Sequence, residues 1–216
     1  MRLSPAESDT IDRHVAAVEA RTGVQVCVAV VPRSDGYVEL PWKAFALGAS
    51  LAGLGVVVAD MWLAPWATPA TALLHVVAVL GVAAAGALLA VFVPAFARLF
   101  LRETRRQAAV KEHAESLFLR HALFRTTRRR AVLILVSQFE RRVEILPDTG
   151  LHGRVDQADW LGVIDAMAPH LRDARPFHAL EAGITEVERL LVSKGFHADA
   201  DAPNELPNRP IQESGA

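Results

Sequence analysis

The chain has 216 residues, a net charge of −1 and a single cysteine. That length fits one ordinary domain with an appendage, the charge gives no bulk signal for nucleic acid, and lone Cys27 excludes an internal disulfide. At 52% hydrophobic and a mean hydropathy of +0.25 the composition is too apolar for an average soluble domain, and the excess is concentrated between Ala44 and Phe100.

In chain order, the polar start MRLSPAESDTIDRH reads as a helix beginning rather than a secretory leader. Ser4 and Glu7 form a capping box, Pro5 suits a first helical position, and Ile11, Val15 and Val18 repeat at helical spacing before Gly23, a C-cap. VQVCVAVV (residues 24–31) is a β-branched run between Gly23 and Pro32, which predicts a buried strand.

Two apolar segments follow. Residues 42–62 hold Ser50 and Asp60 as interior polar groups, with tryptophans at both ends roughly 30 Å apart if helical. Residues 70–97 contain no charge and one ionisable group, His75, and would extend roughly 42 Å as a helix, more than the ~30 Å a hydrocarbon layer needs. Trp42, Trp62 and Trp66 fall where an indole prefers the membrane interface. Pro65 and Pro69 lie in the short connection, so the pattern predicts a transmembrane hairpin. Ala49 with Gly53 and Gly81 with Ala85 are small pairs at the spacing that lets helices approach. The tip carries Asp60 and no Lys or Arg. Arg33 and Lys43 precede the first span, and Arg98, Arg102, Arg105, Arg106 and Lys111 follow the second. By the positive-inside rule both termini are expected in the cytoplasm, with the protein multi-pass in the inner membrane. Arg98, Arg102, Arg105 and Arg106 are the basic residues expected at anionic headgroups, and Arg125, Arg128, Arg129 and Arg130 form a second basic cluster.

Beyond the spans, Val110, Ala114, Leu117 and His121 mark one face of a helix. AVLILV (residues 131–136) predicts a central strand, and RRVEIL (residues 141–146) alternates, with Val143 and Ile145 on one face and Glu144 on the other. The residues between them, 137–140, suit an antiparallel turn. Two helices follow, one carrying Trp160, Ile164 and Met167, the other Phe177, Leu180, Ile184, Val187 and Leu191. The expected organisation is an α/β domain of residues 1–33 and 103–196, interrupted by the hairpin of 42–62 and 70–97. Residues 197–216, rich in Pro, Asp and Asn, are expected to be a flexible tail.

The order of helix, TGVQVCVAVVP, the HAESLFLRHALF helix, RAVLILVSQFERRVEILPDTGL and paired helices resembles the TPM-domain family, which includes thylakoid-lumen, photosystem-repair-type proteins and many bacterial membrane proteins. The likeness runs from Ile11 to Leu191 outside the hairpin, and the tail NELPNRPI (residues 204–211) resembles a bacterial branch with a two-span insertion after the first strand. It implies an α/β sandwich around a small mixed sheet. Where the family commonly has Asn-Gly before its second strand, this chain has Arg128, Arg129 and Arg130; where the third strand commonly ends in a Gly-Tyr-Gly-like turn, it has Pro147, Asp148, Thr149 and Gly150. The resemblance implies metal or phosphate chemistry near these turns.

Candidate chemistry is sparse. Cys27 and Arg33 stand at the C-x5-R spacing of cysteine phosphatases, but the residues between them form a strand that would hold them roughly 20 Å apart instead of a phosphate-cradling loop. Asp148, Asp156 and Asp159 on a strand-to-helix connection are candidate oxygen ligands for Ca²⁺ or Mg²⁺, though aspartates also serve turns and helix starts. His113 and His121 are too far apart on one helix to share an ion. His75 is an ionisable group in a span and so a functional candidate. No phosphate loop or hydrolase signature is present. The leading expectation is a non-enzymatic assembly, maintenance or interaction factor at the cytoplasmic membrane face. Its expected partners are lipid and another membrane or peripheral protein, with no nucleic acid. The alternatives are a weak metal-dependent phosphatase using the 148–159 acidic loop and a transport or channel subunit built on His75.

Overall fold

A computed structural model of the chain describes residues 3–63, 68–198 and 204–213, and divides into two compact units, residues 1–35 with 106–216 and residues 36–105. The first unit is thus built from both sides of the second in sequence.

In the first unit, helix α1 (Pro5–Thr22) starts as its letters direct. The Ser4 hydroxyl accepts from Glu7 N, the Glu7 carboxylate accepts from Ser4 N at 2.7 Å, and Gly23 closes the helix at φ +64°. Strand β1 (Gln25–Val31) follows. Past the inserted unit come α5 (Glu103–Arg120), which begins just before the boundary, β2 (Ala131–Ser137), β3 (Arg142–Pro147), α6 (Gln157–Arg172), α7 (Pro176–Ser193) and β4 (Ile211–Gln212). The sheet order is β3-β2-β1-β4. β1 runs parallel to β2 with Gln25 opposite Ala131, and β3 returns antiparallel to β2 with Ile145 opposite Ile134.

Side-chain alternation splits the core in two. Val26, Val28 and Val30 of β1 join Val132, Ile134 and Val136 of β2 against Ile11, Val15, Trp160, Met167, Leu180 and Ile184, so α1, α6 and α7 cover one face. Cys27, Ala29, Leu133 and Leu135 point the other way, onto Val110, Ala114 and Leu117 of α5. Burial on both faces explains why β1 and β2 are continuous apolar runs while β3, at an edge, alternates with Val143 and Ile145 buried. This is the mixed α/β sandwich that the sequence leads one to expect.

Two expectations need correction. His121 lies beyond the end of α5 and is exposed, because the chain turns at Ala122 with φ +50° and the helical face ends at Leu117. The expected flexible tail contains a strand: Ile211 and Gln212 pair parallel to Ala29 and Val30 of β1, so part of segment 197–216 completes the sheet. A two-residue strand has too few letters to show a period.

The second unit holds α2 (Glu39–Leu63) and α3 (Pro69–Phe92), followed by the short α4 (Pro94–Ala97). Both long helices are apolar enough to cross a membrane, and only 6% and 11% of their most apolar windows are buried. Leu51, Leu54, Leu73, Leu74 and Leu88 all face outward, and Trp42 and Trp62 are exposed at the two ends of α2. Trp66 lies outside the described residues. The helices approach at small residues other than those expected. A Cβ on Gly48 would lie 3.1 Å from Ala83 Cα and one on Gly86 3.1 Å from Ala44 O, whereas Gly53 and Gly81 face open space. The spacing-four rule finds small pairs but not the helix face they occupy.

Candidate functional site

The turns entering β2 and leaving β3 meet at one corner of the first unit, where the sequence placed its candidate acidic loop. Asp148 N donates to Ala131 O at 2.8 Å, and Gly150 N to Arg129 O at 2.9 Å, which extends the ladder past β3. A Cβ on Gly150 would lie 2.5 Å from Arg128 O and 2.6 Å from Arg129 O, so only glycine fits between these turns. Arg129 takes a left-handed backbone, φ +54°, uncommon for a residue with a side chain.

Asp148 is buried at 3% exposure. Its Oδ1 accepts from Thr149 N at 2.7 Å and lies 3.2 Å from Arg129 Nη2, while its Oδ2 has no hydrogen-bond partner. Arg129 is itself held: Nη1 donates to Phe124 O at 2.6 Å, and the guanidinium sits 5.7 Å from the Phe124 ring centroid. The cation beside this carboxylate is therefore a side chain of the chain itself.

Asp156 and Asp159 serve the start of α6. Asp159 Oδ2 accepts from Asp156 N at 2.9 Å and lies 2.5 Å from Lys194 Nζ. The Lys194 hydrogen bond, then that of the Asp156 backbone, holds the Asp159 carboxyl below the usual range. Asp148 has Arg129 and Asp159 has Lys194, and among the described residues no three His, Cys, Asp or Glu side chains gather as a metal-ligating group. The three candidate ligands are not brought together.

The remaining candidates are dispersed. Cys27 is buried on β1, and burial pushes its thiol up to about 12, which makes it unreactive near neutrality. Arg33 lies over the Phe139 ring at 4.8 Å. His113 Nε2 is 3.3 Å from Glu213. His75 Nδ1, in the second unit, lies 3.7 Å from Asp60 Oδ2 and so pairs the polar groups of the two apolar helices. Arg102 and Arg105 are exposed, whereas Arg98 and Arg106 are half-buried.

Sequence reasoning missed one polar cluster. Where β1 and β2 end, Ser34 N donates to the Glu140 carboxylate at 3.0 Å, the Ser34 hydroxyl to Ser137 Oγ at 2.7 Å, and the Ser137 hydroxyl to Glu140. Ser137 and Glu140 are fully buried. Such an arrangement resembles an activated hydroxyl, but with no accessible surface it acts as a lock on the strand ends. The available signal was a Ser and a Glu bracketing the turn directly after an all-apolar strand.

The fold and this corner define an α/β sandwich domain with a mixed four-stranded sheet. Residues 89–190 match the family model of the TPM domain, just under half of the chain. Over these residues the chain is similar to the TPM domain. In sequence, no curated protein matches it. In structure it is similar to the BA42 protein of the psychrophilic bacterium Bizionia argentinensis, solved by NMR. The TM-score is 0.60 at 14% identity, covering 99% of this chain and 97% of that one, which is a likeness of fold.

Proposed function

We propose that the protein is a TPM domain anchored in the inner membrane by its helical hairpin, acting at the cytoplasmic face as a non-enzymatic assembly, maintenance or interaction factor. The observation that carries the reading is the outward apolar surface of α2 and α3, because leucines and valines exposed along two 24-residue segments need a nonpolar solvent. Basic residues on one side only, Arg33, Lys43 and Arg98 to Lys111, favour cytoplasmic termini, with Arg102 and Arg105 as headgroup contacts. A non-enzymatic role is favoured by the Arg129 guanidinium, which occupies the place beside Asp148 that a metal-assisted hydrolase would give to its ion.

A cytoplasm-active reporter fused after Ala216 is expected to work and a periplasm-dependent one to stay silent; the reverse result overturns the orientation. For chemistry, the purified full chain is incubated with a phosphate monoester and Ca²⁺ or Mg²⁺. No turnover is expected, nor a metal-dependent rise in thermal midpoint, whereas a bound ion at a hundredfold excess over its Kd would stabilise by about 2.7 kcal/mol. Turnover that disappears in Asp148→Asn would replace this reading with the phosphatase at the 148–159 loop.

A further inference from the structure

The turn between α6 and α7 brings two histidines together. His170 stands in the last turn of α6 and His178 in the first turn of α7. Their ring centres are 6.1 Å apart and their planes 24° from parallel. The backbone fixes this approach. Arg175 N donates to His170 O at 2.8 Å and Ala174 N to Leu171 O at 3.1 Å, and Ala174 takes φ +55°, so the chain reverses within residues 173–175. Leu171, next to His170, and Ala179 and Leu180, just after His178, are buried in the core and anchor both helix ends. Phe177 packs against the same core and meets the His178 ring edge-on, at 5.4 Å and 80°.

The two imidazoles are available. His178 is exposed and His170 half-buried, and among the described residues neither ring makes a hydrogen bond or an ion pair. An unprotonated imidazole keeps one free lone pair, which is what a metal ion takes. With metal–nitrogen bonds of about 2.0–2.1 Å, each ring centre stands about 3.2 Å from the ion, so two rings sharing it are at most about 6.4 Å apart. The observed 6.1 Å meets that limit. Glu7 of α1, whose Oε2 accepts from Ser4 N at 2.7 Å, is the carboxylate whose charge reaches His178. Among the described residues no third His, Cys, Asp or Glu completes a ligand set, so water fills the other positions.

We propose that His170 and His178 form a two-imidazole site for a divalent transition-metal ion such as Zn²⁺, Ni²⁺ or Cu²⁺. Nitrogen donors select these ions over Ca²⁺ and Mg²⁺, which take oxygen. The site is distinct from the acidic loop at 148–159, because His170 lies about 20 Å along α6 from Asp156. Two protein ligands on a fixed turn hold an ion reversibly and leave positions open to an outside donor.

Diethyl pyrocarbonate, which acylates an unliganded imidazole nitrogen, tests this on the full chain in detergent micelles. The reaction is run with and without Zn²⁺, and each histidine is read by peptide mass spectrometry. At a tenfold excess of Zn²⁺ over its Kd, mass action leaves about one site in eleven open, so the rates at His170 and His178 should fall together about tenfold. Exposed His152, near the start of α6, should react unchanged, and Ca²⁺ should shield neither member of the pair. In His170→Gln the same Zn²⁺ concentration should no longer shield His178, and in His178→Gln His170 should react freely. Neither ring has a hydrogen bond to a described residue to lose, so both variants are expected to fold, and either one alone decides. Rates unmoved by Zn²⁺ up to about 1 mM, shielding of one ring only, equal shielding by Ca²⁺, or shielding that persists in a single variant overturns the site.

Discussion

Arg129 and Asp148 make the most consequential pair in the first unit. The carboxylate is buried, one of its oxygens is unsatisfied, and its cation sits at 3.2 Å. Removing one partner is worse than removing both, because it strands a buried charge. Arg129→Gln is expected to destabilise the unit by about 1–3 kcal/mol in urea unfolding, and adding Asp148→Asn should restore a substantial part. Additive losses from the two changes would show that the pair is not coupled. The acidic positions were legible in the sequence, but their use was not. Asp148, Asp156 and Asp159 recur in a pattern that suits an ion equally well. What decides between the readings is where Arg129 and Lys194 fold to, and Lys194 lies 35 residues beyond Asp159 in sequence. Long-range partners leave no mark in a local pattern.

For the elements, legibility followed how local each signal was. The bounds of α1 were readable because its start and stop are written in Ser4, Glu7 and Gly23. β1 and β2 were readable from unbroken apolar runs. β4 was not, because the segment that carries it, residues 205–213, is held by Gln25, Ser8, Thr127 and Arg120, all distant in sequence. The centrality of β2 gives a direct check. Ile134 is fully buried between Val28 of β1 and Ile145 of β3 in register. Ile134→Asp would put an unpaired carboxyl group in that core at a cost of several kcal/mol, comparable to the whole stability of a marginal domain. The variant is expected to fail to accumulate. If it melts like the parent protein, β2 does not have the role described.

At the scale of the molecule, a domain with two covered sheet faces is interrupted by a helical insertion. Both halves of its core, on either face of β1 and β2, come from residues outside the insertion. Replacing residues 36–105 with a flexible Gly/Ser linker should therefore leave a unit that folds without detergent. The expected result is a monodisperse soluble protein with mixed α/β circular dichroism and cooperative unfolding. Aggregation under all conditions would mean that the insertion is needed for the sandwich to form.

The parallel register of Gln25 with Ala131 also sets a timetable for synthesis. β1 leaves the ribosome more than a hundred residues before its only long neighbour. At about 5–20 residues per second, it waits roughly 5–20 s as an unpaired run of valines. Such a strand is a hazard for misassociation while it waits. On the membrane reading proposed above, a hairpin threaded into the bilayer in that interval would return the chain to the side it left. It would thereby turn a long, entropically costly search between β1 and β2 into a short one. Slowing insertion, with synthesis unchanged, should then lower the yield of folded sandwich even though no residue of its core lies in the hairpin.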